Sequence, residues 1–194
     1  MSESDSLVEQ VRTGESLELQ VLAAQGILPL PIETLIPLQV HLAGADNPMI
    51  ADYARAALEG VEPKVAIPYL ASEAPEAVLR WFARSHSESQ LVEAILRRRD
   101  VPRDLLVEVA PELDPDLQEV LLLRQDAIVE QPSILDALQT NSKLSIYAGR
   151  RIREYREHLL PRAAFATRSA RTRAYARSCS ISMGRCTASG RCAH

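Results

Sequence analysis

Aromatic residues make up only 4% of this 194-residue chain, with one Trp and two Phe. Any core must therefore be aliphatic, built from Leu, Val, Ile and Ala. Glycine is scarce, at 7 residues, and no alternating Val/Ile/Thr runs bounded by Asn-Gly or Asp-Gly occur, which argues against hairpins. Abundant Leu, Ala, Glu and Arg favour helix instead. No run of about 18 apolar residues exists to span a bilayer. The start, Met1-Ser-Glu-Ser-Asp-Ser, lacks the basic and apolar run of a secretory signal, so a cytoplasmic location is expected. Cysteine is absent before residue 179, which excludes disulfides from the body. No His-Glu-x-x-His, Cys-x-x-Cys or Gly-rich phosphate loop occurs either, and we expect no enzyme and no cofactor.

Charge is unevenly spread. All 26 Asp and Glu lie in residues 1–162, which carry −10, whereas residues 163–194 hold six arginines and no acid. An acidic body argues against general nucleic-acid binding through it.

What the chain has is punctuation. Residues 1–30 predict an N-terminal helical cap, broken near Gly14 and stopped at Gly26, with Ser2–Ser6 unstructured. Beyond Pro31, Asn47-Pro48, Glu62-Pro63, Ala74-Pro75, Val101-Pro102, Asp114-Pro115 and Gln131-Pro132 each precede an apolar-periodic run. Ser87 and Asn141-Ser142 stand in equivalent places. Proline fits a first helical turn, where its missing N–H loses no bond, and Asp, Asn or Ser can cap the turn. The starts fall 10 to 17 residues apart, so each helix is only two to three turns long. Helices that short need neighbours. Pairs of them recurring every ~25–30 residues predict an all-α solenoid over residues 31–160.

Self-similarity agrees. Pro75-Glu-Ala-Val-Leu-Arg-Trp-Phe-Ala aligns with Pro102-Arg-Asp-Leu-Leu-Val-Glu-Val-Ala, and Pro132-Ser-Ile-Leu-Asp-Ala-Leu comes next. Ile36-Pro37 and Ile67-Pro68 predict kinks inside helices. Leu144, Tyr147, Ala148, Ile152, Tyr155 and Leu159 mark one face of a last helix that Pro161 should end.

The run from Pro102 to Val120, Pro-x-x-Leu-Leu-x-x-Val-Ala and then Asp-Pro-x-Leu-x-x-Val, resembles bacterial HEAT-like and leucine-rich-repeat-variant solenoids. Residues 31–160 are also similar to the N-terminal part of a family of such repeats in myxobacteria and acidobacteria. The resemblance implies a right-handed superhelix and a scaffold that binds an unidentified protein. It transfers no catalytic residue.

Residues 161–194 read differently. Their Ala, Arg, Ser, Thr, Cys and Gly mixture is what GC-rich coding sequence gives when read out of frame. It also suits a disordered basic arm that could take nucleic acid. Cys179, Cys186, Cys192 and His194 have ligand types suited to zinc, but six and five residues intervene between the cysteines, against the two to four of a zinc knuckle. His86, flanked by Ser85, Ser87 and Glu88, reads as a loop histidine, because triads assemble from separated segments.

Candidates for an interaction surface are Trp81, Arg84, Arg98, Tyr147, Arg151 and Tyr155. Trp81 is a favoured hot-spot type, with core filling as its alternative reading beside Phe82. Arg98 belongs to Arg97-Arg98-Arg99, whose other reading is charge at a helix C-terminus. Leu144, Tyr147, Ile152 and Tyr155 face a missing next repeat if the stack is cut short, which would promote self-association. The alternative function is nucleic-acid binding through the basic tail. A helical-repeat glycosylase ranks lowest, since it needs aromatic walls.

Overall fold

The computed structural model describes residues 3–85 and 88–161, and within them every regular element is helical. Twelve α-helices run in order: α1 (Glu3–Thr13), α2 (Leu17–Ala24), α3 (Ile32–Leu42), α4 (Pro48–Glu59), α5 (Pro63–Ser72), α6 (Glu76–Arg84), α7 (Ser89–Arg97), α8 (Arg103–Val109), α9 (Pro115–Leu122), α10 (Gln125–Glu130), α11 (Ser133–Gln139) and α12 (Ile146–Glu154). A 3-10 turn, Ala110–Glu112, extends α8, and a π-helical stretch, Tyr155–Leu159, extends α12.

The proline marks fall where expected. Pro48, Pro63 and Pro115 open their helices, and Pro31, Pro75, Pro102 and Pro132 sit one residue before theirs. Side-chain caps come from Ser16, Asn47 and Ser145, which accept from the backbone N–H of Leu19, Met49 and Ala148. Pro37 and Pro68 lie inside α3 and α5. Gly14 and Gly26 take φ of 76° and 74° after α1 and α2, a conformation other residues rarely adopt.

Several expectations need correction. Helix begins at Glu3, so the acidic start is not irregular throughout. The longest interval between starts, 115 to 132, hides α10, which no proline or capping residue announces. The last helix starts at Ile146, not at Asn141-Ser142, because Asn141 is buried and engaged elsewhere. Helix continues through Pro161, the last described residue. The fixed φ of proline, about −65°, is itself compatible with helix, so the ring alone does not end it.

Packing follows two series. In one, α3 meets α6, α6 meets α8, and α8 meets α11. In the other, α5 meets α7, α7 meets α9, and α9 meets α12. At the N-terminal end α2 packs on α1, α3 and α4. Between the series lies an aliphatic core that includes Ile36, Leu58, Leu70, Leu79, Leu96, Leu105, Leu121 and Leu135, with Phe82 as its one phenyl ring.

Short helices expose a large share of unpaired terminal carbonyls. Here a side chain from a later element supplies the donor. Gln20 Nε2 donates to Val11 O (3.0 Å), Gln39 Nε2 to Ala23 O (3.3 Å) and an Arg55 guanidinium N–H to Ala43 O (3.0 Å). Arg98 donates to Leu70 O (2.8 Å) and Ala74 O (3.2 Å) at the end of α5. Arg124 donates to Leu96 O (2.9 Å) and to Arg98 O at the end of α7. The Tyr155 hydroxyl donates to Leu122 O (2.7 Å) at the end of α9. Asn141 Nδ2 closes the turn after α8 on Ala110 O (3.0 Å) and Leu113 O (2.8 Å). Gln118 spans the next junction, donating to Leu113 O and Lys143 O and accepting from Ser145 N.

Arg98 and Arg124 are equivalent residues. Each is buried, each points back two elements, and each is clamped by the carboxylate two residues on, Asp100 or Asp126. Leu96 and Leu122 precede them in the same register. An arginine fork can serve two carbonyls and one carboxylate at once, which lysine cannot match.

The clamp sets a pH response. The Arg124 hydrogen bond holds the Asp126 carboxyl down at about 2, and Arg98 lowers Asp100 in the same way. An unfolded Asp titrates near ~3.9. A depressed folded value gives stability that is complete above the unfolded value and is lost as pH falls through the folded one. Acid unfolding should therefore sharpen between about pH 4 and pH 2. Asp126→Asn is expected to shrink the drop in melting midpoint between neutral pH and pH 2, measured by circular dichroism. An unchanged drop would contradict this role.

Candidate interaction surface

Trp81 sits on α6, whose apolar spacing buries Val78, Leu79 and Phe82. The neighbouring position on the helix turns about 100° away, so Trp81 stays half-buried. Its ring meets that of Phe82 edge to face, with centroids 4.9 Å apart and planes at 81°. Val40, Ala77 and Trp81 floor a shallow groove of about 450 Å³ between α3 and α6, rimmed by Arg80, Arg84 and Ser85.

Those arginines are not free cations. Arg80 pairs with Glu76 (2.9 Å), Asp104 and Glu108 (3.3 Å), and Arg84 pairs with Glu108 (2.7 Å). Hydrogen bonding from Arg80 lowers the Asp104 carboxyl and raises the Arg80 guanidinium. A ladder of opposite charges thus crosses from α6 to α8. It continues with Arg103 on Glu130 (2.7 Å) and Arg156 on Asp136 (2.5 Å). Exposed pairs of this kind contribute little stability each.

A second cleft, of about 550 Å³, opens beside α6 and α7. Val92, Val109, Leu113 and Leu117 line its apolar part, and Glu108 and Asp114 its edge. Both acids are already paired, Glu108 as above and Asp114 with Lys143 (2.8 Å).

On α12, Tyr147 is exposed, as expected of a surface residue. Arg151 lies over the Tyr155 ring at 5.1 Å and pairs with Glu154 (2.9 Å). Hydrogen bonding to Glu154 raises the Arg151 guanidinium and lowers the Glu154 carboxyl.

Two surface candidates prove to be interior. Arg98 is buried because its guanidinium caps α5, and Tyr155 is buried because its hydroxyl caps α9, with Gln125 Nε2 3.4 Å away. Ile152 is buried as well, so of the face expected to meet a further repeat only Tyr147 is exposed and Leu144 is half-buried. Ile146 beside them, which the periodicity does not single out, is 94% exposed.

Trp81 and Arg84 lie on α6, whereas Tyr147 and Arg151 lie on α12. The candidates do not form one cluster. The Tyr69 hydroxyl is buried without a hydrogen-bond partner among the described residues, and burial raises it to about 12. His41 and His158 are exposed on separate helices, and no group of three His, Cys, Asp or Glu suited to a metal occurs among the described residues. His86, Cys179, Cys186, Cys192 and His194 lie outside them. Among the described residues no helix is long and apolar enough to cross a membrane. No family model, curated protein or solved structure matches this chain.

Proposed function

We propose that this chain is a non-enzymatic α-solenoid of HEAT-like or leucine-rich-repeat-variant type that binds another protein in the cytoplasm. On this reading residues 1–30 form a cap, residues 31–160 the repeats, and residues 161–194 a basic extension. The observation that supports it is the recurrence of Arg98-x-Asp100 and Arg124-x-Asp126, two equivalent clamps on successive helix ends. Repeats joined in this way extend in one direction and present long faces rather than a closed pocket. Long faces of paired helices suit protein ligands.

The six arginines of residues 163–194 favour a second reading, nucleic-acid binding through the tail. One experiment separates the two. The full chain is used to capture and cross-link partners from source-cell lysate, with and without nuclease. The scaffold reading expects a protein recovered in both conditions, with cross-links on residues 31–160. Recovery that disappears with nuclease, with cross-links confined to the tail, would replace it by the second reading.

A further inference from the structure

At each end of the described stack a helix face is left without a neighbour. Helix α7 lies between α5 and α9, and α9 between α7 and α12, whereas α12 packs on α9 and α11 and has no described helix beyond it. Burial records the difference. Helix α7 buries two adjacent columns, Leu91 with Ile95 and Val92 with Leu96, and α9 does so with Leu117, Leu121 and Gln118, Leu122. Helix α12 and its extension bury one column, Ala148, Ile152 and Tyr155. Ile146, Arg150 and Arg153 each stand two residues before a member of that column, about 200° around the helix. All three are exposed, Ile146 at 94%.

The opposite end is uncovered too. Helix α2, which packs on α1, α3 and α4, carries apolar residues on every side but buries only Ala23 and Ala24. A helix apolar all round is normally enclosed. Leu17 and Val21, four residues apart, share a face. Leu17 is 56% exposed, Val21 is half-buried, and Ile27 just past the helix is 63% exposed.

Charge separates the two ends. Residues 3–24 hold five acids and one arginine, and Glu9, Glu15 and Glu18 are exposed without an ion pair among the described residues. Residues 25–142 hold nineteen acids and nine bases, which is less than half that negative density per residue. Residues 143–161 reverse the sign, with five bases and two acids. There Glu154 serves both Arg150 and Arg151, and Arg153 makes no ion pair among the described residues.

We infer that the outward face of α12 docks on the outward face of α2 in a second copy of this chain, extending the stack head to tail. The contact brings Ile146 to the Leu17–Val21 face and the Arg150–Arg153 stripe to Glu15 and Glu18. Opposite charges set its orientation and reject like ends. It is heterologous, so it builds open chains rather than closed dimers. One helix face on each copy is a small area, so the association is weak and concentration-dependent. The inference goes beyond the scaffold reading and does not rest on it.

The test is analytical ultracentrifugation of the full chain at physiological salt. The average mass is expected to rise above the 21.4 kDa of one chain over about 10–500 µM. Ile146→Ser changes a side chain that adds nothing to folding where it stands in water. It should keep the parent's helical circular dichroism and weaken association by about fivefold or more. Two charge reversals test the pairing. Arg150→Glu with Arg153→Glu gives a copy with two acidic faces, and Glu15→Arg with Glu18→Arg gives one with two basic faces. Each alone should associate about tenfold more weakly or worse. An equimolar mixture should regain the parent's masses, because every acidic face again meets a basic one.

Three results would overturn the inference: the mass of one chain at every concentration, association that Ile146→Ser leaves unchanged, or a mixture that associates no better than either reversed variant alone while both keep their helix. If a reversal loses helix, Leu17→Ser decides beside Ile146→Ser, and association indifferent to it overturns the inference. A last variant replaces the seven arginines from Arg162 onward by serine, and association should persist in it. Loss there, with Arg150→Glu and Arg153→Glu without effect, would assign the α2 face to the chain's own tail and overturn the inference. None of these outcomes touches the scaffold reading, which stands or falls with the protein captured from lysate.

Discussion

Replacing Arg124 by alanine is expected to destabilise the protein by about 2–4 kcal/mol in urea unfolding. The guanidinium is buried, and it caps two carbonyls, Leu96 O and Arg98 O, that end α7. Each buried carbonyl left without a donor costs roughly 1–3 kcal/mol. Asp126 recovers water more easily, because it is about half exposed, so it adds little to the loss. Arg124→Lys keeps the charge but not the fork, and should fall between alanine and the parent. The loss is large against a total of about 5–15 kcal/mol. A change below about 0.5 kcal/mol, typical of a plain surface site, would mean that the clamp is not a structural joint.

Phe82→Ala is expected to cost still more, about 3–5 kcal/mol. Phe82 is wholly buried in a core that is otherwise aliphatic apart from Tyr69 and Tyr155, and it also loses its edge contact with Trp81. Short helices collapse poorly around a cavity, because their ends are already fixed by capping side chains. Trp81→Ala should cost clearly less, since Trp81 is only half-buried and lines the groove with Val40. Equal losses at the two positions would show that Trp81 is a core residue and no part of a binding surface.

How much of this is legible depends on the kind of signal. Prolines before apolar runs place α3, α4, α5, α6, α8, α9 and α11 to within a few residues, because a first-turn proline has a local cause. Helix α10 escapes that reading because six residues between Arg124 and Gln131 carry no such mark and form only against their neighbours. The buried amides of Gln39, Gln118 and Asn141 escape it for a related reason. A polar residue facing a distant carbonyl leaves no local pattern.

Arg98 shows the limit most clearly. Within Arg97-Arg98-Arg99 it reads as one charge of three, yet Arg97 pairs with Glu93 on the surface while Arg98 turns inward. A signal does exist: Leu-x-Arg-x-Asp recurs at Leu96 and Leu122, in register with the helix pairs. The candidate surface is less legible than the fold. Exposure depends on which neighbours a helix packs against, and local periodicity does not encode that. Tyr147 and Tyr155 lie on one stripe in the sequence, but Tyr155 is drawn in by the carbonyl of Leu122.

Hydrogen–deuterium exchange of the full chain, compared with its Arg98→Ala variant, tests the central claim most directly. If successive helix pairs are joined to nearest neighbours by these clamps, protection should fall in the peptides covering α5, α6 and α7. It should stay unchanged in α1 to α3. An equal loss of protection from α1 to α12, or no loss at α5, would contradict a stack of clamped repeats and indicate a single core without repeat units.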